Sequence, residues 1–288
     1  MQNRRTFIQQ TGLGIVGTMM TGMESCTSAE KTKAGISVQL YTIRDAIAKD
    51  APGSLKRLYD MGFRNVETAF WPDGTDLQQA AGWIRNAGLK VSSCHVELPV
   101  GDQKQKMLEL ANVYGAKRMI WHGWPEDKRY SSLEGTKELA GIYNESFQFA
   151  ADHGLEFGLH NHWWEFRNKV GGKYVYEILL EETDPRIFFE IDTYWVKVAG
   201  HEPSKTIDAF GNRVKLLHIK DGPAKWNDEL AIDNPDPMTA VGKGTQDIPA
   251  ILKASEKHVE WLVVEMDKTS TDVFQSLDES LQYLIGIH

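Results

Sequence analysis

The densest chemistry in the chain stands in Gly158-Leu159-His160-Asn161-His162-Trp163-Trp164-Glu165-Phe166. Leu155 to Leu159 reads as a short apolar strand, and His160 and His162, two residues apart, share one face of it. Glu165 follows three residues later. Imidazoles and a carboxylate where a strand runs into a loop suit a metal or acid–base site. The alternative is a loop with surface histidines and an aromatic anchor.

Other apolar runs end in the same way. One closes on Glu67, one on His95 and Glu97, one on His122, and one on Glu190 and Asp192. Two more close on His218, Lys220 and Asp221, and on Glu265 and Asp267. Charges at the end of an apolar strand are costly unless paired or metal-bound. His160, Asp192, His218 and Glu265, from four consecutive strands, form a candidate ligand set. Such donors suit a divalent Mn, Zn, Co, Fe or Mg ion. Each has a plainer reading. Asp192 could cap a turn, His218 could be a core histidine, Glu265 could pair with Lys220, and His160 could only orient a ligand. Glu265, His162, Glu165 and Lys220 are the candidate catalytic residues, and Glu67, His95, His122 and Trp195 the candidate substrate contacts. His95 and His122 count as contacts because they lie on staves distant from the ligand set. Gly242-Lys243-Gly244 reads as a turn, too short for a phosphate motif.

The elements that position these residues alternate regularly. Strands are expected at 36–41, 63–69, 89–97, 116–122, 155–162, 186–192, 214–220 and 261–265. Helices are expected at 54–61, 77–87, 103–114, 133–153, 175–182, 203–210, 248–257 and 273–285. Eight strand–helix units over residues 34–288 predict one α/β domain, a (β/α)8 barrel whose active site lies at the C-terminal strand ends. A doubly wound open sheet is the alternative. It is weakened because no Gly-x-Gly-x-x-Gly follows the first strand.

Residues 1–33 read as an export signal and tether. Arg4-Arg5 stands before an apolar run from Gly12 to Met23, as in twin-arginine signals. Export places the protein in the periplasm. Cys26 sits where a lipoprotein cysteine would, which gives the one expected route to a membrane. Cys94 reads as a small buried residue with no disulfide partner. The net charge of −8 argues against nucleic acid as a partner.

The segments around His160, Glu190-Ile191-Asp192-Thr193-Tyr194-Trp195, His218-Ile219-Lys220-Asp221, Gly242-Lys243-Gly244 and Val264-Glu265-Met266-Asp267 together resemble the sugar phosphate isomerase/epimerase family. That resemblance runs from about residue 35 onward and implies a xylose-isomerase-like TIM barrel. It implies a metal-dependent isomerase or epimerase acting on a carbohydrate. In the family's epimerases a Glu, Asp, His, Glu set holds the metal and the two glutamates exchange the substrate proton. Asp192, His218 and Glu265 match the last three positions, and His160 replaces the first glutamate. The resemblance also covers dehydratases and lyases on 3-keto-glycosides. A non-catalytic sugar-binding barrel is the remaining alternative.

Overall fold

The computed structural model describes residues 33–232 and 234–287. The twin-arginine segment and Cys26 lie outside the described residues. Among the described residues, no helix is long and apolar enough to cross a membrane.

Eight parallel strands close into a barrel: β1 Gly35–Gln39, β2 Asn65–Thr68, β3 Lys90–Val96, β4 Arg118–Trp121, β5 Glu156–His160, β6 Phe188–Asp192, β7 Val214–Ile219 and β8 Trp261–Val264. Each strand pairs with its neighbour in sequence, and β8 returns to β1 through the register Val38↔Val264. The crossover helices are α1 Ala51–Met61, α2 Leu77–Asn86, α3 Gln103–Tyr114, α4 Leu133–Asp152, α5 Val175–Glu182, α6 Pro203–Phe210, α7 Ile248–Ser255 and α8 Val273–Ile287. The expected (β/α)8 barrel is the fold observed.

Local chemistry sets the boundaries. Helix α1 starts at Ala51, three residues before the expected Ser54. Asp50 caps it by accepting the Gly53 N–H at 3.0 Å, and Pro52 suits the first turn. It ends at Gly62, whose φ of +117° a side chain would resist. Strand β1 stops at Gln39 because that side chain takes the Tyr41 N–H, turning the chain into a short 3-10 helix. Three short α-helices went unanticipated: Arg44–Ile47, and Trp164–Arg167 and Thr193–Val198 after β5 and β6.

The barrel interior is layered. At its lower end Ile120, Phe188, Leu216 and Val263 pack together, with Trp261 beside them. Gly158 makes room for this plug: a Cβ there would lie 2.2 Å from the Phe188 ring. Two residues further along each strand the inward face becomes polar. His122, His160, Glu190, His218 and Glu265 occupy those positions, and His162, Asp192, Lys220 and Asp267 follow two residues later on their strands. The plug is thus a dry floor under a charged chamber. Cys94 is buried and free, its thiol donating to the Arg118 carbonyl at 3.3 Å.

Candidate functional site

The deepest part of the chamber is built across the barrel, not along neighbouring staves. Glu67 of β2 accepts from Gln39 Nε2 at 2.8 Å and from the Ser93 hydroxyl at 2.5 Å. Its Oε1 lies 2.7 Å from His218 Nε2 and 3.2 Å from His95 Nε2. Glu190 Oε2 gathers three imidazoles: His95 Nε2 at 2.7 Å, His160 Nδ1 at 3.2 Å and His218 Nε2 at 3.2 Å. Glu190 Oε1 is buried with no partner.

Nearer the mouth the centre is Lys220, 1% exposed. Its ammonium lies 2.7 Å from Glu265 Oε2, 2.7 Å from Asp267 Oδ2 and 2.9 Å from Asp192 Oδ2. Asp192 uses Oδ1 to cap the following helix, accepting from Tyr194 N and Trp195 N at 3.0 Å each. The capping reading was therefore correct, yet it leaves Oδ2 turned to the site. Glu265 Oε2 also meets His218 Nδ1 at 2.6 Å, so the ring of His218 bridges the two levels.

Burial and charge compete in each of these groups. Burial opposes a charged ring at His95, but Glu67 and Glu190 overcome it and push His95 up to about 9. His218 rises well above its ordinary value for the same reason, with Glu190, Glu265 and Glu67 around it. His160 and His162 go the other way. Burial holds both well down, helped by the charge of His218 beside the first and Lys220 beside the second. Glu265 stays ionised: burial would raise it, but Lys220 and His218 hold it far down. Burial lifts Asp267 to about 6 even against Lys220.

Two overlapping donor groups emerge, His95–His160–Glu190–His218 and Asp192–His218–Glu265, with ligand atoms in each within 4.8 Å of one another. The four expected ligands divide between them: His160 joins the deeper group, Asp192 and Glu265 the upper one, and His218 both. His95, expected to be too distant, faces His160 and His218 at ring separations of 5.2 and 5.4 Å. Glu190 was noted at its strand end but not nominated as a ligand. The residues fit a divalent cation. Among the described residues, five carboxylates (Glu67, Glu190, Asp192, Glu265 and Asp267) crowd a space where Lys220, His95 and His218 are the positive partners, and Glu190 Oε1 still lacks a partner. Mixed imidazole and carboxylate donors favour a borderline transition metal.

Above the chamber lies a cavity of about 250 Å³. His95, His122, His160, His162, Lys220, Glu265 and Asp267 line its polar part. Three of the residues nominated for catalysis or substrate contact do not reach it, and neither do the nominated ligands Asp192 and His218. Glu67 is fully buried in the deepest part of the chamber, against His218 and His95. Trp195 is fully buried, packed on Trp163 with Lys220 above its ring at 5.5 Å. Glu165 sits behind the wall and accepts the His162 N–H at 2.9 Å. A one-turn helix starting at Trp164 swings its side chain off the strand's face. His122 sits near the rim, 3.4 Å from Glu97, and burial lowers its pKa.

Glu165 yields a pH prediction of its own. Burial pushes its carboxyl up to about 8, against roughly 4.3 in an unfolded chain. The folded state therefore prefers the neutral form. The stability this confers is complete below the unfolded value and is lost as pH rises through 8. Glu165→Gln keeps an acceptor for His162 and removes the titration. Between pH 6 and pH 9 the variant should gain about 2–3 kcal/mol relative to wild type, read from urea midpoints at the two pH values. Parallel pH profiles would show that Glu165 is not buried as a neutral acid.

Gly242 and Gly244 do bind an anion, but it is the chain's own. Their N–H groups donate to Asp221 Oδ2 at 2.9 Å each. Asp221 Oδ1 accepts from Gly222 N at 2.8 Å and Gln246 N at 3.1 Å. A Cβ on Gly244 would lie 2.0 Å from Asp221 Oδ1, which explains the glycine.

Comparison with known proteins agrees with this geometry. The model of the xylose isomerase-like TIM barrel family matches residues 55–286. A sugar phosphate isomerase/epimerase from Parabacteroides distasonis is similar at 23% identity and TM-score 0.71, covering 89% of this chain and 95% of that one. D-allulose 3-epimerase from Methylomonas sp., solved with D-allulose, is similar at 14% identity and TM-score 0.66, over 89% and 98%. A probable 3-DHS dehydratase from Bacillus anthracis is similar at 14% identity and TM-score 0.65, over 88% and 99%. At these identities the likeness speaks for the fold. No curated protein sequence matches the chain. A barrel closed in sequence order, a charged chamber at the C-terminal strand ends and a family match over most of its length establish that the chain belongs to the xylose isomerase-like TIM barrel family.

Proposed function

We propose that the protein is an exported, metal-dependent enzyme that moves a proton next to the carbonyl of a keto-sugar, giving isomerisation or epimerisation. One observation carries this reading. An ionised carboxylate, a buried lysine and neutral imidazoles face one small cavity directly above a group of metal-type donors. A pure binding site has little use for so many buried titratable groups. The arginine pair and apolar run at 4–23 support export, and with it a free sugar in place of a phosphorylated one.

The residues divide the task. His218 would hold the cation, with His95, His160 and Glu190 or with Asp192 and Glu265. A cation bound there supplies positive charge that acidifies the C–H beside the carbonyl. Glu265 takes the proton: Lys220 and His218 keep it ionised and fix its Oε2, leaving its other oxygen to meet the C–H. Lys220 donates to the oxygen that gains charge. His162 stacks on Trp164 at 4.3 Å and stays neutral, so it can accept a proton from a second direction. The replacement of a glutamate by His160 leaves this imidazole as the natural second base.

Elimination is the second reading. His122, which borders the cavity 3.4 Å from Glu97, is placed to hydrogen-bond a departing group. Both readings share the first step, which deuterium exchange tests. Metal-replete protein should exchange the α-proton of at least one keto-sugar in deuterated water, followed by NMR. Exchange with none of a panel of keto-hexoses and 3-keto-glycosides would remove the catalytic reading.

A further inference from the structure

The cavity has two chemically different parts. Its inner wall is polar: His95, His160, Lys220, Glu265 and Asp267. Its outer wall is apolar: Phe70, Trp124 and Ile232, with Tyr41 and Ala69. Among the described residues, six large apolar side chains are exposed, and Phe70 at 56% and Trp124 at 46% both border this one cavity. Leaving two aromatic rings half in water at a polar site forgoes burial that a ligand would supply.

Both rings are held in place. Phe70 lies edge-on to the His122 ring, centroids 5.1 Å apart. The backbone N–H of Trp124 donates to His122 Nδ1 at 3.2 Å. One buried imidazole thus positions both faces. The enclosed volume, about 250 Å³, lies below the roughly 300–1,000 Å³ of sites that engulf a drug-sized ligand. It holds one small polar ring, and anything attached to that ring must emerge between Phe70, Trp124 and Ile232.

We propose that Phe70 and Trp124 form an outer subsite that stacks the ring substituent of a glycoside, so that the preferred substrate is a glycoside and not a free monosaccharide. The proposal rests on the carbohydrate reading of the inner site. Aromatic faces recognise the flat apolar face of a second sugar ring and of an aromatic aglycone alike.

Calorimetry with unreactive ligands separates the cases: the methyl glycosides of glucose and galactose, their phenyl glycosides, and the disaccharides maltose and lactose. Wild-type protein should bind at least one ring-bearing class about tenfold more tightly than the methyl glycosides. A gain confined to disaccharides assigns the subsite to sugar, and one confined to phenyl glycosides assigns it to an aglycone. Phe70→Ala and Trp124→Ala should each abolish most of the gain without changing methyl glycoside affinity, and Trp124→Phe should retain it. Equal binding of all classes, or a gain that survives both alanine variants, overturns the outer subsite alone. Absence of any binding overturns the carbohydrate reading and the subsite with it.

Discussion

His218→Ala should lose the metal and lower the unfolding temperature by about 10 °C. The imidazole is completely buried and faces Glu265 at 2.6 Å, Glu67 at 2.7 Å and Glu190 at 3.2 Å. Removing one partner of a buried charge cluster leaves the others unpaired, at a cost of about 3–5 kcal/mol. Domains of this kind have about 5–15 kcal/mol in all, so the variant should fold with reduced stability. Each kcal/mol is worth roughly 2–4 °C at this size. Because His218 is the one residue common to both donor groups, metal content should fall whichever group holds the ion. Elemental analysis and a thermal melt on the same preparation test both halves. A variant with wild-type metal content would place the ion elsewhere.

Glu265→Gln should slow α-proton exchange by about 10²–10⁴-fold while preserving the fold. Glutamine matches the shape, so the cost falls on the proton acceptor. The carboxylate borders the cavity, and burial alone would protonate it; Lys220 at 2.7 Å and His218 at 2.6 Å prevent that. The amide can neither take a proton nor balance Lys220. Deuterium exchange at saturating substrate, alongside a thermal melt, separates lost chemistry from lost structure. An unchanged exchange rate with an intact fold would move the base to His162.

Strand ends were the legible part of the site. Alternation along each strand says which residues face inward, and His160, Asp192, His218, Lys220 and Glu265 all do. Alternation is silent on height. Glu190 and Asp192 share a face, but one sits two residues deeper, and of the two only the deeper carboxylate meets His95, while His160 lies between them, 3.2 Å from Glu190 and 3.9 Å from Asp192. Counting staves also misled. His95 on β3 appeared remote from β6 and β7, yet side chains of an eight-stranded barrel meet across its axis. Glu165 and Trp195 failed for another reason: short helices after β5 and β6 redirect them, and those helices carry little periodicity to read. The aromatic rim lies outside the strand pattern: exposure, not alternation, singles out Phe70 and Trp124.

Asp221 joins four N–H groups from both ends of the segment that follows β7, one residue beyond Lys220. A single carboxylate thereby pins the stem of a long loop whose far portion, through Ile232, borders the cavity mouth. Closing a loop costs little more when the loop is lengthened. Descendants of this chain can therefore lengthen, shorten or rewrite residues 225–234 and explore new substituents at the mouth, while Lys220 keeps its place among three carboxylates. Innovation and chemistry are separated here by the width of one residue.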